Sequence, residues 1–422
     1  MKRQWFFVLH SWAGVTCGLL LFLVSWSGTV AVFAHEIDWL LNPALRAPVA
    51  AQPVSWQTLA EGAQDASPGA TLSMLRAPYA PGWAAEAWIE ARSGQLQRVY
   101  LDPGTGRATG TTSFFNVERF FRDFHMRLMW PDTGQWGYYV VAVMSLVVLA
   151  QVVAGLVFYR RWWTRLFTLR LNRGRPALLT DLHRLAGIWS LLFTPIIVVT
   201  GVWYLVERVD ATHIHALPSV PRAAQVSIGE RDMRLDRLVV LAKAAQPHLR
   251  ITAIYFPGDM SDPIAFIGQD GAFVVRDAAA RVELSPFTGQ VAASQTPDSL
   301  GAVRRWAETA DRIHFGDFGG LASKTAWFIF GLMLSGLSLT GAYLHVMRSQ
   351  GTHGLARGPA VIAAHVVTLA LLVLTVYGGW NEIRDYGTRD AWPIVPIPVT
   401  VFLVAWVAST VAVLQWWVRK VS

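Results

Sequence analysis

The chain has 422 residues, of which 53% are hydrophobic and only 15% are charged. Soluble globular domains carry about 25% charged residues, so this composition is that of a membrane protein. The net charge of +8 reflects basic residues beside apolar segments, which indicates positive-inside topology and excludes a nucleic-acid partner. The single cysteine, Cys17, excludes an internal disulfide, a cysteine-ligated metal site and covalent haem attachment. We expect Cys17 to be a small buried apolar residue.

Apolar runs of membrane-spanning length alternate with polar segments. The first run, residues 5–34, is about twice as long as the apolar part of a signal peptide, so we predict a retained span. Arginines at 160–175 place the loop after the second span in the cytoplasm, with both termini. The predicted spans are 1–35, 135–160, 183–206, 322–346, 359–380 and 392–418, with outer domains at 36–134 and 207–321 and a cytoplasmic basic loop at 161–182.

Each outer domain is predicted as a small α+β unit. Apolar periodicity indicates helices at 55–66 and 235–245. Short strands are predicted at 70–77, 84–91, 97–101, 251–256, 264–267 and 273–276. Residues 114–129 are rich in Phe, Arg and Met, and we expect an amphipathic helix there that lies at the membrane interface.

A histidine motif occurs twice, each time near the start of an apolar segment. His10-Ser-Trp-Ala-Gly14 returns as His183-Arg-Leu-Ala-Gly187, and Gly28 and Gly201 each follow their histidine by eighteen residues. In a straight helix that separation is about 27 Å, so each imidazole would lie at one membrane face. The glycine four residues on shares the helix face of its histidine and leaves room for a flat ligand. The chain therefore contains a duplicated unit of span, small domain, interfacial histidine and span.

The duplication predicts two histidine pairs. His10 and His183 would face each other at the cytoplasmic side, and His125 and His314 at the outer side. A single intramembrane histidine is more often a structural hydrogen-bonding residue, but two pairs match the axial ligands of two b-type haems. The alternative use, direct binding of a transition metal, prefers carboxylate or Met ligands. Carboxylates are almost absent from the spans, which favours haem.

Other histidines leave alternatives open. His345 and His365 lie near the cytoplasmic ends of the fourth and fifth spans, and either could replace His10 or His183 or serve a quinone site. Tyr159 occupies the position equivalent to His345. We expect the outer histidines to be solvent-facing or structural; these are His35, His213 and His215. His248 and His353 receive no role.

The cytoplasmic loops are too short for a nucleotide-binding fold, whose βαβ unit alone takes about 30 residues. The sequence also has no Gly-x-Gly-x-x-Gly fingerprint opening a helix after a strand, and no P-loop. We therefore expect no flavin or nicotinamide domain in this chain. Electrons would come from a donor protein or a membrane quinol.

These features resemble those of the PepSY-associated transmembrane proteins, over roughly residues 1–350. The motifs that carry the resemblance are His10-x-x-x-Gly14 with Ser27-Gly28 and Glu36-Ile-Asp38, Asp181-Leu-His183-Arg-Leu-Ala-Gly187 with Thr200-Gly201, and His314-Phe-Gly-Asp-Phe-Gly-Gly320 with Gly341. The resemblance implies that both outer domains are PepSY-like. Members of the family include inner-membrane ferric-siderophore reductases with two b haems. The resemblance thus implies haem and iron uptake and leaves the substrate open. The chain departs from long family members at Tyr159, where they often carry histidine.

Together these predictions describe an α-helical protein of the bacterial inner membrane with about six spans, a duplicated core of four and two periplasmic α+β domains. Two non-covalent b haems would be held by His10, His183, His125 and His314, with His345 a further candidate. The chain would carry electrons to a ferric siderophore or another periplasmic iron chelate, as an oxidoreductase. Two alternatives are a non-redox PepSY protein that binds a periplasmic protease or envelope partner, and a metal permease.

Overall fold

A computed structural model describes residues 2–130, 135–209, 234–258, 262–272, 274–349, 359–387 and 392–420. His213, His215 and His353 lie outside the described residues, as does Phe273. The helices are α1 (Lys2–Thr16), α2 (Gly18–Ala31), α3 (Ala34–Leu41), α4 (Trp56–Ala66), α5 (Val117–Arg127), α6 (Trp136–Phe158), α7 (Gly174–Trp189), α8 (Thr194–Val209), α9 (Leu235–Ala245), α10 (Ala302–Phe315), α11 (Gly320–Ser349), α12 (Pro359–Asp385) and α13 (Ile397–Lys420). The strands are β1 (Thr71–Arg76), β2 (Ala85–Glu90), β3 (Leu96–Leu101), β4 (Ala108–Ser113), β5 (Arg250–Tyr255), β6 (Ile264–Gln269), β7 (Ala280–Leu284) and β8 (Val291–Gln295).

The protein is a helical, multi-pass membrane protein. Within the described residues, four stretches are long and apolar enough to cross a bilayer: Trp136–Phe158, Asp317–Arg348, Val361–Asp385 and Ile397–Lys420. Two bent helix pairs raise the number to six if each pair forms one span. The predicted number of spans is therefore within the range that the structure allows.

The two bent pairs are the duplicated segments that carry His10 and His183. Gln4–Thr16 and Gly18–Ala31 meet at 67°, and Leu171–Leu192 meets Thr194–Val209 at 63°. The expectation of one straight helix, with about 27 Å between each histidine and its distal glycine, is therefore wrong for both segments. The first bend falls at Cys17, which is half-buried rather than buried. Its neighbour Gly18 lies against Trp417, whose ring would stand 2.9 Å from a Cβ at that position.

The two polar regions form one sheet. Its order is β4-β3-β2-β1-β5-β6-β7-β8, so β1 and β5 join two four-stranded repeats at the centre. In this antiparallel pair Leu75 lies opposite Ile254. The helices α4 and α9 cover one face, where Leu59 and Leu238 belong to the same buried core as these strands. The outer regions were predicted as two separate small domains, whereas the structure joins their strands in one continuous eight-stranded sheet.

The structure confirms both helices predicted in these regions and five of the six strands, with shifts of one or two residues at the ends. The exception is the predicted strand at 273–276, since residues 274–276 have no strand geometry and a short 3-10 turn follows at Asp277–Ala279. Three strands were not predicted: β4, β7 and β8.

The helix α5 connects the sheet to the membrane helices. Its N-terminus is capped by Asp38 of α3, whose two carboxylate oxygens accept the N–H groups of Val117 and Glu118 at 2.9 Å each. Its apolar face packs around Trp406 of α13. Near its C-terminal end Arg127 forms an ion pair of 2.7 Å with Glu382 of α12. The predicted interfacial helix is thus mostly buried, packed against α2, α3 and α6 and in contact with Trp406 and Glu382 of the last two helices.

Candidate cofactor site

The four histidines that the duplication singles out form two pairs. His10 of α1 faces His183 of α7, with ring centroids 6.4 Å apart. His125 of α5 faces His314 of α10, with ring centroids 6.1 Å apart. Each pair therefore takes one histidine from each copy of the duplicated unit, the first repeat being residues 1–160 and the second residues 183–346. The two repeats are in contact through these imidazole rings.

The spacing within each pair suits two axial ligands of one metal. An imidazole nitrogen binds a transition metal at about 2 Å and lies roughly 1 Å from its ring centroid, so two opposed ligands have centroids about 6 Å apart. Both observed separations agree with this value. The described residues bring together no group of three or more His, Cys, Asp or Glu side chains that could hold a metal ion. Two paired imidazoles instead suit a metal whose other ligands belong to a cofactor, as in haem.

Backbone carbonyl groups orient the two histidines of the first repeat. The Nδ1 atom of His10 lies 3.0 Å from the carbonyl oxygen of Gln151 in α6. The Nδ1 atom of His125 lies 2.9 Å from the carbonyl oxygen of Val24 in α2. A carbonyl oxygen only accepts hydrogen bonds, so each Nδ1 carries the proton and donates it. The Nε2 atom of each ring is left with its lone pair.

Threonine hydroxyl groups orient the two histidines of the second repeat. The Nδ1 atom of His183 lies 2.9 Å from Thr340 Oγ1 in α11, and that of His314 lies 2.8 Å from Thr200 Oγ1 in α8. Each hydroxyl donates its single proton to the backbone carbonyl four residues earlier, at 2.7 Å and 2.8 Å respectively. The hydroxyl oxygen must therefore accept from Nδ1–H, which again leaves Nε2 with its lone pair.

All four imidazoles thus present the same nitrogen. Among the described residues, none of these Nε2 atoms makes a hydrogen bond. His365 differs, because its Nε2 lies 3.3 Å from both the Val15 carbonyl oxygen and the indole N–H of Trp417. His365 Nε2 is therefore engaged with neighbouring groups, whereas each of the four paired rings is held through Nδ1 and leaves Nε2 unbonded.

A cavity of about 330 Å³ surrounds the His10–His183 pair. Its volume lies in the range of small-molecule and cofactor sites. Five glycines line it: Gly18 at the start of α2, and one from each of the helices α1, α6, α7 and α11, which are Gly14, Gly155, Gly187 and Gly341. A Cβ at Gly341 would lie 3.1 Å from His183 Cε1. Gly14 and Gly187 thus line the cavity, but the glycines that lie beside the imidazoles of His10 and His183 are Gly155 and Gly341.

The lining of this cavity is mainly apolar, with two basic side chains near one end. Arg184 and Arg348 line it together with His345 and Tyr159. Guanidinium groups bind carboxylates through charge-assisted hydrogen bonds. The residues present therefore fit a flat apolar ligand with acidic groups, such as haem. His345 shares the cavity with the His10–His183 pair.

The His125–His314 pair is more closely enclosed. A Cβ at Gly28 would lie 2.6 Å from His125 Cε1, so glycine at this position provides space for the ring. The ring of Tyr204 lies 5.1 Å from that of His314. Burial lowers the pKa of His125, and burial together with the neighbouring His125 lowers the pKa of His314 to about 3. Both rings are therefore neutral near pH 7, the state in which imidazole binds a metal.

The loop after His314 brings α10 and α11 into position. Gly316 ends α10 with a φ of 69°, and Gly320 begins α11 with a φ of 61°. Both values lie in the region where L-residues are strained. A Cβ at Gly316 would also lie 2.5 Å from the Trp327 ring. This explains Gly316 and Gly320, two of the three glycines in the motif His314-Phe-Gly-Asp-Phe-Gly-Gly320.

Sequence reasoning missed the groups that orient the histidines. The hydroxyl of Thr200 and the hydroxyl of Ser27, which lies 3.4 Å from His125 Nδ1, both precede the duplicated glycines. That shared position was a signal for their role. Thr340 and the carbonyl groups of Gln151 and Val24 gave no such signal.

A family model for the PepSY-associated TM region matches residues 7–348. The match contains both repeats and all four paired histidines. No curated protein matches the chain. Because the family model covers most of the sequence, the chain belongs to the PepSY-associated transmembrane family.

Proposed function

We propose that this protein is a haem-b electron-transfer protein of the bacterial inner membrane that reduces a ferric siderophore or a similar iron chelate in the periplasm. The observation that carries this proposal is the pair of cross-repeat histidine sites, each with ring centroids about 6 Å apart and with both rings held through Nδ1. Haem bound at both sites would supply reversible one-electron chemistry at iron.

The protein's own residues would fix where each haem binds. His10 and His183 would hold one haem within the glycine-lined cavity, with Arg184 and Arg348 near its acidic groups. His125 and His314 would hold the second. The two sites lie near opposite ends of the α1–α2 segment, because His10 is in α1 and Gly28, against His125, is near the end of α2. Electrons could thus cross most of the bilayer within one chain.

The proposed orientation follows from charge. The arginines between 160 and 175 would keep the end of α6 and the start of α7 in the cytoplasm. The His10–His183 site would then be cytoplasmic, and the sheet, α5 and the His125–His314 site would be periplasmic. A donor protein or a membrane quinol would deliver electrons at the cytoplasmic side, and the iron chelate would accept them at the periplasmic side.

The test is the visible spectrum of the full chain, purified in mild detergent from cells supplied with haem. We expect b-type bands that sharpen on reduction with dithionite, and about two haems per chain by pyridine haemochrome. His248 is exposed and belongs to neither pair, so His248→Ala should keep both haems. A featureless spectrum would contradict the proposal and favour a non-redox protein that binds an envelope partner.

A further inference from the structure

A second, smaller cavity lies where the sheet meets α3, outside the membrane-spanning helices. Its volume is about 40 Å³. That is enough for a few water molecules or one small acidic group. The residues that line it include His35, Asp38, Arg76, Tyr79, Trp83 and Arg98. Glu86 and Tyr100 line it as well, so the cavity combines two arginines and two carboxylates with aromatic side chains.

The charges in this cavity are paired with one exception. Arg98 is buried and forms ion pairs with Glu86 at 2.8 Å and Glu118 at 3.4 Å. Asp38 accepts the two backbone hydrogen bonds at the start of α5. Among the described residues, the side chain of Arg76 makes no hydrogen bond and no ion pair, and its guanidinium carbon lies 5.6 Å from the Trp88 ring centroid. An arginine with free donors at a cavity is suited to bind an anion.

Two acidic residues close to Arg76 are both bound to Arg98: Glu86, its cross-strand neighbour in β2, and Glu118 of α5. Burial opposes ionisation of Glu118, but the charges of His35, Arg98, Arg76 and Arg122 together lower its pKa to about 2. Its carboxylate is therefore ionised and bound to Arg98. Asp38 differs, because burial raises its pKa to about 7. Among the described residues, the guanidinium group of Arg76 is thus the one at this cavity that no carboxylate contacts directly.

Aromatic rings form the outer wall of the cavity. Tyr79 is 52% exposed. The ring of His35 stacks on that of Tyr79 with centroids 5.5 Å apart, and the Trp83 ring lies 5.1 Å from Tyr79. Exposed aromatic rings of this kind stack on planar ligands. An arginine behind an aromatic wall therefore suits a ligand with both a ring and a negative charge.

The cavity is also close to the outer histidine pair. Glu118, which interacts with Arg76 and His35, lies seven residues before His125 in α5. At the helical rise this is roughly 10 Å along the axis. A ligand at the cavity would therefore lie near the His125–His314 site, on the same side of the membrane as the sheet.

We propose that this cavity binds the acceptor, and that the acceptor is an iron chelate of the anionic, aromatic class, such as a catecholate or phenolate complex. Its acidic group binds Arg76, and its ring packs on Tyr79. This inference rests on the proposed function, because it names the substrate class of the periplasmic site.

The test is equilibrium dialysis of the full chain in detergent with ferric 2,3-dihydroxybenzoate, and with the neutral ferric acetohydroxamate complex for comparison. We expect the anionic complex to bind and the neutral one to bind at least about tenfold more weakly. Arg76→Gln should weaken binding of the anionic complex about tenfold, through loss of a charge-assisted hydrogen bond. Tyr79→Ser, at an exposed position, should weaken it less. The exposed Arg107 supplies the control Arg107→Gln, which should bind as the wild type does.

Equal binding of the two complexes, no binding of either, or equal affinity of Arg76→Gln and wild type would overturn the inference. The haem spectrum of each sample separates this result from the proposed function. A sample that contains haem but does not bind the anionic complex contradicts only the acceptor site. A sample that binds the complex without haem contradicts only the electron-transfer proposal.

Discussion

The two histidine sites have the same ligand spacing but different surroundings. His10 and His183 open on a cavity of about 330 Å³, whereas His125 is packed directly against Gly28. The ring planes are 81° apart in the first pair and 41° apart in the second. The two sites thus have the same pair of ligand side chains, but only the His10–His183 pair adjoins a large cavity.

A second difference separates the two repeats rather than the two sites. The shortest contacts to the histidines of the first repeat come from backbone carbonyl groups, with the Ser27 hydroxyl farther from His125 at 3.4 Å, whereas the second repeat uses the hydroxyl groups of Thr340 and Thr200. Each site therefore contains one ring fixed by backbone and one fixed by a side chain. Substitution can remove only the second kind of contact, so the two repeats can be perturbed separately.

The largest expected effect comes from filling the space beside His125. Gly28→Ala would place a Cβ 2.6 Å from His125 Cε1, so the ring must move. We expect haem content to fall from about two to about one per chain, because a displaced ligand no longer meets the metal. The control is Gly336→Ala in α11, where a Cβ meets nothing within 4 Å. Equal haem content in Gly28→Ala and Gly336→Ala would show that the close packing is unimportant.

Removing the hydroxyl anchors should have a moderate effect. Thr340→Val and Thr200→Val each delete the acceptor of one Nδ1–H, and we expect a loss of haem affinity of about 10- to 100-fold at the corresponding site. Titration of haem into the haem-free protein measures this. The matched control is Thr368→Val, since within the described part of the chain the Thr368 hydroxyl bonds only the Ala364 carbonyl group of its own helix. Thr340→Ser and Thr200→Ser keep the hydroxyl group and should bind haem nearly as the wild type does. If both serine variants lose as much affinity as the valine variants, the hydroxyl groups do not orient the histidines.

The smallest expected effect concerns the placement of α5, which carries His125. Burial raises the pKa of Asp38 to about 7, so the folded protein holds this proton more tightly than the unfolded chain. The stabilisation is complete below about pH 4 and is lost as the pH rises through about 7. The measured quantity is the unfolding temperature of the wild type minus that of Asp38→Asn at the same pH. We expect this difference to decrease by a few degrees from pH 5 to pH 8. The exposed Asp65→Asn serves as the control. A constant difference across this range would exclude Asp38 as the titrating group.

The sequence was sufficient to predict the histidine pairs because the duplication repeats His10 and His183 in the same context, and symmetry then brings equivalent residues together. It was insufficient for β4 and β8, whose small and polar residues, such as those at 108–113, lack a clear apolar alternation. The pairing of β1 with β5 was also inaccessible, since it depends on how the two repeats dock. The bend at Cys17 could not be predicted either, because no proline marks it. The contact from the Gln151 carbonyl group was equally inaccessible, because a backbone group can come from any residue type.

The most direct test of the account compares two double variants, with low-spin haem counted in each. His10→Ala with His183→Ala removes both ligands of one site, and we expect about one haem to remain. His10→Ala with His125→Ala removes one ligand from each site within a single repeat, and we expect neither site to keep low-spin haem. The opposite pattern, with haem retained when a single repeat loses both histidines, would contradict the cross-repeat pairing.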